Sequence, residues 1–153
     1  MENKGTIYFD MDGTLADFYG QPTWLADLET YNPRPYQKAQ PLCNMRALAK
    51  RLNALQRKGF RIGIISWLSK TSTPAYDALV TAVKLKWLAE HLGSVQFDEV
   101  HIVAYGTPKS KVADNIGILF DDERKNLDEW AENNGNAYPP NEIFTVLEVL
   151  KKI

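Results

Sequence analysis

Four groups of residues in this chain have types and spacings that could do chemistry together: Asp10 with Asp12, Ser66, a lysine at 109 or 111, and the pair Asp121-Asp122. Four carboxylates brought close raise one another's pKa strongly unless a cation neutralises them. Oxygen ligands with open water positions suit Mg²⁺ better than a caged Ca²⁺. Asp10, Asp12, Asp121 and Asp122 are therefore the expected metal ligands, with Mg²⁺ as cofactor. Neither His91 nor His101 lies in these motifs, and no Cys/His constellation suggests zinc. Ser66 and the backbone amides of the Gly13-Thr14 turn offer neutral donors, and the lysine a positive one. With the cation they would make a pocket for a tetrahedral dianion.

Phosphoryl transfer needs positioning, charge neutralisation and an in-line nucleophile. Asp10 can be that nucleophile, forming an aspartyl-phosphate. Asp12, two residues along, can protonate the leaving oxygen and then take a proton from water. Both Lys109 and Lys111 are within reach of the phosphate. The first turn after Thr107-Pro108 favours Lys109.

These residues need elements to bring them together. Thr6–Phe9 is a short apolar strand ending at Asp10, Phe60–Ile65 one ending at Ser66, Val100–Val103 a third, and Ile116–Phe120 a fourth ending at Asp121. Helical periodicity covers Met45 to Lys58, with Gly59 as its stop. A second helix starts at Ser72-Thr73-Pro74 and runs to Leu92, with Leu79, Val83 and Leu88 as its core stripe. Further helices are expected from Thr107-Pro108, over Lys125 to Asn133, and from Asn141 to Ile153. Alternating strands and helices predict an α/β domain with a mainly parallel sheet. In such sheets ligands bind at the carboxyl ends of the strands, where all four groups fall.

The region from about 19 to 43 breaks this rhythm. It is rich in aromatics and prolines, with a short helix expected over Pro22 to Thr30. So long a loop is usually a lid or binding loop, here a small cap inserted after the first strand. Trp67, directly after Ser66, is a candidate for a pocket wall.

The chain has 153 residues, about the size of one domain. Its net charge of -1 provides no global field to hold it on nucleic acid. No apolar run approaches the roughly 20 residues of a membrane span, and the start of the chain carries no signal-peptide core. A single cysteine, Cys43, fits a reducing, cytoplasmic setting.

The run Phe9-Asp10-Met11-Asp12-Gly13-Thr14 resembles the first motif of the haloacid dehalogenase-like (HAD) superfamily. Ile64-Ile65-Ser66, Lys109 and Leu119-Phe120-Asp121-Asp122 are similar to its second, third and fourth motifs, in order. The resemblance implies a Rossmann-like sheet of strand order 5-4-1-2-3 and Mg²⁺-dependent phosphatase chemistry, with Asp10 as nucleophile and Asp12 as acid and base. It implies Ser66 and the lysine on the phosphate, Asp122 on the metal, and Asp121 acting largely through water. The segment Asp10 to Gly20 looks most like the 5'(3')-deoxyribonucleotidases, in which an aromatic at the position of Phe18 stacks on the base. The expected function is hydrolysis of a small phosphomonoester, a deoxynucleotide first. The rivals are a polynucleotide 3'-phosphatase and a HAD-fold binding protein of weak activity.

Overall fold

The computed structural model describes residues 2–153. Its centre is a five-stranded sheet: β1 (Gly5–Phe9), β2 (Phe60–Trp67), β3 (Glu99–Val103), β4 (Ile118–Phe120) and β5 (Asn136–Tyr138). All neighbouring strands pair in parallel, in the order β3-β2-β1-β4-β5. Read from the other edge this is 5-4-1-2-3, the order implied by the resemblance.

Parallel strands covered on both faces read as continuous apolar runs, and in β1 Thr6 to Phe9 are all buried. Alternate side chains leave on opposite faces. Ile7 and Phe9 join Ile62 and Ile64 in one core, while Tyr8 joins Ile65, Leu119 and Trp130 in another.

Among the described residues six α-helices surround the sheet: α1 (Trp24–Glu29), α2 (Arg34–Lys38), α3 (Met45–Lys58), α4 (Pro74–His91), α5 (Arg124–Glu132) and α6 (Ile143–Lys151). The boundaries of α3 are those read from its periodicity, because both ends are signalled locally. The Asn44 side chain accepts from the Ala47 amide at 3.0 Å, and Gly59 closes the helix at φ +108°. Burying Leu48, Leu52 and Leu55 stabilises the domain by about 1.5–3 kcal/mol each. At the start of α4, Thr73 caps the Tyr76 amide at 3.1 Å and Pro74 fills the first turn.

Two expectations change, and the fifth strand is located. The helix expected from Thr107 is a single 3-10 turn, Lys109–Lys111, because only six residues separate it from β4. The strand β5 has no apolar run of its own; it is three residues long and held by pairing with β4. The core stripe of α4 is rotated from the one expected: Leu79 is 49% exposed, and Tyr76, Val80, Trp87 and Leu88 face inward.

The stretch expected as a cap forms α1 and α2 and folds back on its own start. The Asp17 amide donates to Gln40 O at 2.7 Å, and Leu42 N to Leu15 O at 2.9 Å. The stretch packs on α4: Phe18 and Tyr36 cluster with Tyr76 and Val80, Tyr76 Oη donates to Asn32 O, and Trp87 Nε1 to Ala39 O. Among the described residues no helix is long and apolar enough to cross a membrane.

Candidate active site

Asp10 follows β1 directly, and its amide continues the sheet by donating to Phe120 O at 2.9 Å. The chain then turns through Gly13 at φ +81°, a conformation few L-residues adopt. A Cβ there would also collide with the Asp122 carboxylate. The backbone thus calls for glycine, and a side chain there would also push the Asp122 carboxylate aside.

Both oxygens of Asp10 are held. Lys109 Nζ donates to Oδ1 at 2.8 Å and Thr14 Oγ1 to Oδ2 at 2.9 Å. Lys109 also donates to Asp121 Oδ2 at 2.7 Å. Asn126, in the first turn of α5, donates to that oxygen at 3.1 Å, and the Glu123 amide to Asp121 Oδ1 at 2.9 Å. Burial of Lys109 disfavours its charge, but the adjacent carboxylates outweigh that and raise its pKa. Asp121 is fully buried; burial and then Asp10 raise its pKa against the pull of Lys109.

Asp12 stands apart from this group. Its Oδ2 accepts from Lys84 Nζ at 2.9 Å, and the Asp12 side chain keeps 19% exposure. Burial raises its pKa, and Lys84 pulls the other way. Lys84 comes from the middle of α4 and was not among the residues expected in the site. The signal for it lay in the pattern Tyr76, Val80, Trp87, Leu88: at helical spacing, position 84 belongs to that apolar face.

Several sequence-based roles change in detail. Lys109, not Lys111, reaches the carboxylates; Lys111 is exposed on the far side of its turn. The amides of Gly13 and Thr14, expected on a phosphate, donate instead to Ala16 O and Met11 O within the turn. Thr14 touches Asp10 through its hydroxyl. Ser66 is fully buried, and its Oγ accepts from Lys84 at 2.6 Å.

A divalent cation fits the remaining donors. Carboxylate oxygens of Asp10, Asp121 and Asp122 lie within 4.8 Å of one another. The Asp12 side chain, expected as a fourth ligand, lies outside that set. Two lysines, Lys84 and Lys109, face four aspartates, so the site carries an excess of two negative charges. Asp122 shows the consequence: partial burial, then the charge of Asp10, push its carboxyl up to about 8. An all-oxygen set with that excess suits a hard dication. Asp10 and Asp122 would hold it: Asp121 already accepts three hydrogen bonds, from Lys109, Asn126 and the Glu123 amide, against two at Asp10. A second acidic group, Glu99, His101 and Asp114, differs: both Glu99 oxygens already accept from Tyr8 Oη at 2.9 Å.

Above Asp10, Asp12 and Asp122 opens a cleft of about 410 Å³ walled by aromatics. Tyr19 and Trp24 line the cap side, Trp67 and Tyr105 the other. Phe18 also lines it, but is 3% exposed beneath Tyr19, Trp24 and Tyr36. The rings of Trp67 and Tyr105 lie 5.1 Å apart, Trp67 Nε1 donates to Thr107 O at 2.8 Å, and Lys109 Nζ lies 5.5 Å from the Trp67 ring.

The fold that carries this sheet order, the loop after β1 and the clustered carboxylates recurs in known structures. It is similar to a Mesorhizobium loti protein described as a HAD-like phosphatase, with a TM-score of 0.60 at 12% identity over 99% of this chain and 88% of that one. It is similar also to the D,D-heptose 1,7-bisphosphate phosphatase of B. bronchiseptica complexed with magnesium and phosphate, with a TM-score of 0.51 at 14% identity over 91% and 79%. A chain of the Pnkp1/Rnl/Hen1 complex matches with a TM-score of 0.57 at 16% identity; 90% of this chain is covered, but only 46% of that longer one. No protein-family model and no curated protein matches the sequence. The chain has the Rossmann-like α/β fold of the HAD-like phosphatases.

Proposed function

We propose that this chain is a Mg²⁺-dependent phosphomonoesterase working through an aspartyl-phosphate on Asp10. The observation that carries this reading is the division of the site. Asp10 is gripped on one side by Lys109 and Thr14, while Asp12 sits apart on Lys84. One carboxylate is thereby fixed in place by two donors, and the other stands apart to serve as proton donor and acceptor. An Asp10 oxygen attacks phosphorus, the bond to the leaving oxygen breaks, and Asp12 gives that oxygen its proton. Asp12 then takes a proton from water, which attacks phosphorus, breaks the bond to Asp10 and releases phosphate. Mg²⁺ held by Asp10 and Asp122 supplies neutralisation of the phosphoryl charge. Lys109 pairs with Asp10 and supplies the nearest protein cation.

The aromatic walls favour a substrate with a flat leaving group, a deoxynucleotide first. Asp10→Asn tests the mechanism: phosphate release from a panel of esters should vanish while the circular dichroism spectrum is kept. Retained turnover would exclude Asp10 as nucleophile. No hydrolysis by the wild-type chain with Mg²⁺ would favour a binding role instead.

A polynucleotide 3'-phosphatase is the second reading. It is supported by the similarity to the Pnkp1-containing structure and by Lys70 and Lys125 at the rim of an open cleft. Turnover of a mononucleotide against a 3'-phosphorylated oligonucleotide, at two salt concentrations, separates the two. Polymer binding would weaken steeply with salt.

A further inference from the structure

Lys84 is 1% exposed, on the apolar face of α4. An ammonium there is costly unless every proton is matched, and a buried pair is rarely more stable than well-packed apolar residues of similar volume. Each of its three N–H groups has a partner: Asp12 Oδ2 at 2.9 Å, Ser66 Oγ at 2.6 Å and Trp67 O at 2.8 Å. Two of these partners belong to the end of β2, which therefore fixes where the ammonium stands. The third is the carboxylate beside the cleft. The ring of Tyr36, from the cap, lies 4.9 Å from the same nitrogen. Lys84 is thus the point at which β2, the cap and the loop after β1 meet.

We propose that Lys84 is a positioning residue for proton transfer to the leaving group. It acts by anchoring Asp12 through Oδ2, so that Oδ1 is the oxygen that exchanges a proton at the cleft. The inference rests on the phosphatase reading above. With one oxygen pinned to the rigid end of β2, the carboxyl cannot swing toward Asp10 or the cation. Its free oxygen stays where a leaving group departs. Asp10, by contrast, keeps all its own contacts when Lys84 is changed.

The test separates proton donation from everything else in the site. Lys84→Gln and Lys84→Met would be compared with wild type on p-nitrophenyl phosphate, whose leaving group departs without protonation, and on an alkyl phosphate, whose leaving group needs a proton. The quantity read is kcat/KM, which ends at transfer to Asp10 and omits hydrolysis of the aspartyl-phosphate, where Asp12 serves both substrates alike. Loss of a positioned acid costs about 10²–10⁴-fold. The expected result is a fall of at least about 10²-fold for the alkyl ester and less than about tenfold for the aryl ester. In an Asp12→Asn background the same Lys84 changes should add little, because the group they position is gone.

Equal losses on both esters, or full additivity with Asp12→Asn, would overturn the proposal and leave Lys84 a packing residue. If Lys84→Met fails to fold, Lys84→Gln, which can still donate to the β2 end, gives the same comparison, and the double variant leaves no unmatched charge. Wild type inactive on both esters would instead count against the phosphatase reading.

Discussion

Lys109 Nζ lies 2.8 Å from Asp10 Oδ1, and the same nitrogen lies 2.7 Å from Asp121. All three groups are buried or nearly so. The ammonium is what allows two carboxylates to share this space, and removing it leaves both without a counter-charge. Lys109→Met should therefore destabilise the protein by about 3–5 kcal/mol, measured as a shift in the urea midpoint. Mg²⁺ should recover part of that loss, since a cation can take over neutralisation of Asp10. Lys111→Met, at an exposed position, should leave both the midpoint and turnover within error of wild type.

Gly13 faces a different constraint. Its φ of +81° disfavours any side chain, and a Cβ would strike the Asp122 carboxylate. Gly13→Ala should cost about 1–3 kcal/mol in stability from the backbone alone. It should also weaken Mg²⁺ binding by displacing Asp122, which isothermal titration would read directly. A variant with wild-type Mg²⁺ affinity would show that Asp122 does not hold the ion.

The grouping of Asp10 with Asp121 and Asp122 was legible in the sequence, Lys109 was left open against Lys111, and Lys84 was not foreseen. The physical reason is locality. Asp10, Gly13, Asp121 and Asp122 sit within a few residues of strand ends, and a strand followed by such a turn has few ways to fold. The ends of α3 were readable for the same reason, through Asn44 and Gly59. Lys84 lies eighteen residues beyond Ser66, and its role depends on which face α4 turns to the sheet. Placing Leu79 in the core rotates that helix and turns Lys84 away from the site. The contacts that fix the true face, Trp87 to Ala39 and Tyr76 to Asn32, run to the cap and have no local signature. Strand β5 and Asn126 were hidden likewise, one by its length and the other by acting only across a turn.

The raised pKa of Asp122 makes Mg²⁺ binding pH-dependent. In protein stripped of metal its carboxyl titrates near 8, against about 3.9 in an unfolded chain. A folded pKa above the unfolded one contributes stability that is complete below about pH 4 and is lost as pH rises toward 8. The metal-free protein should therefore weaken across that window. Mg²⁺ competes with the proton for the same oxygens, so its stabilising effect should grow with pH. Thermal melts with and without Mg²⁺ at pH 5.5 and pH 8 check this: the gain in Tm should be clearly larger at pH 8. A gain independent of pH would place the ion away from Asp122.

The aromatic walls can be tested apart from the chemistry. Tyr105 is 54% exposed, stands beside Trp67 and makes no hydrogen bond to the carboxylates, so its removal should leave phosphoryl transfer untouched. If the leaving group is a nucleobase-bearing sugar, stacking on an aromatic contributes about 1–3 kcal/mol. Tyr105→Ala should then raise KM for a deoxynucleotide roughly tenfold with little change in kcat. For glycerol phosphate, which has no ring to stack, both parameters should stay near wild type. A variant that alters the two substrates equally would mean that Tyr105 shapes the loop rather than the pocket. A rise confined to the nucleotide would tie the aromatic wall to the base, and so separate what selects the substrate from the carboxylates that cleave it.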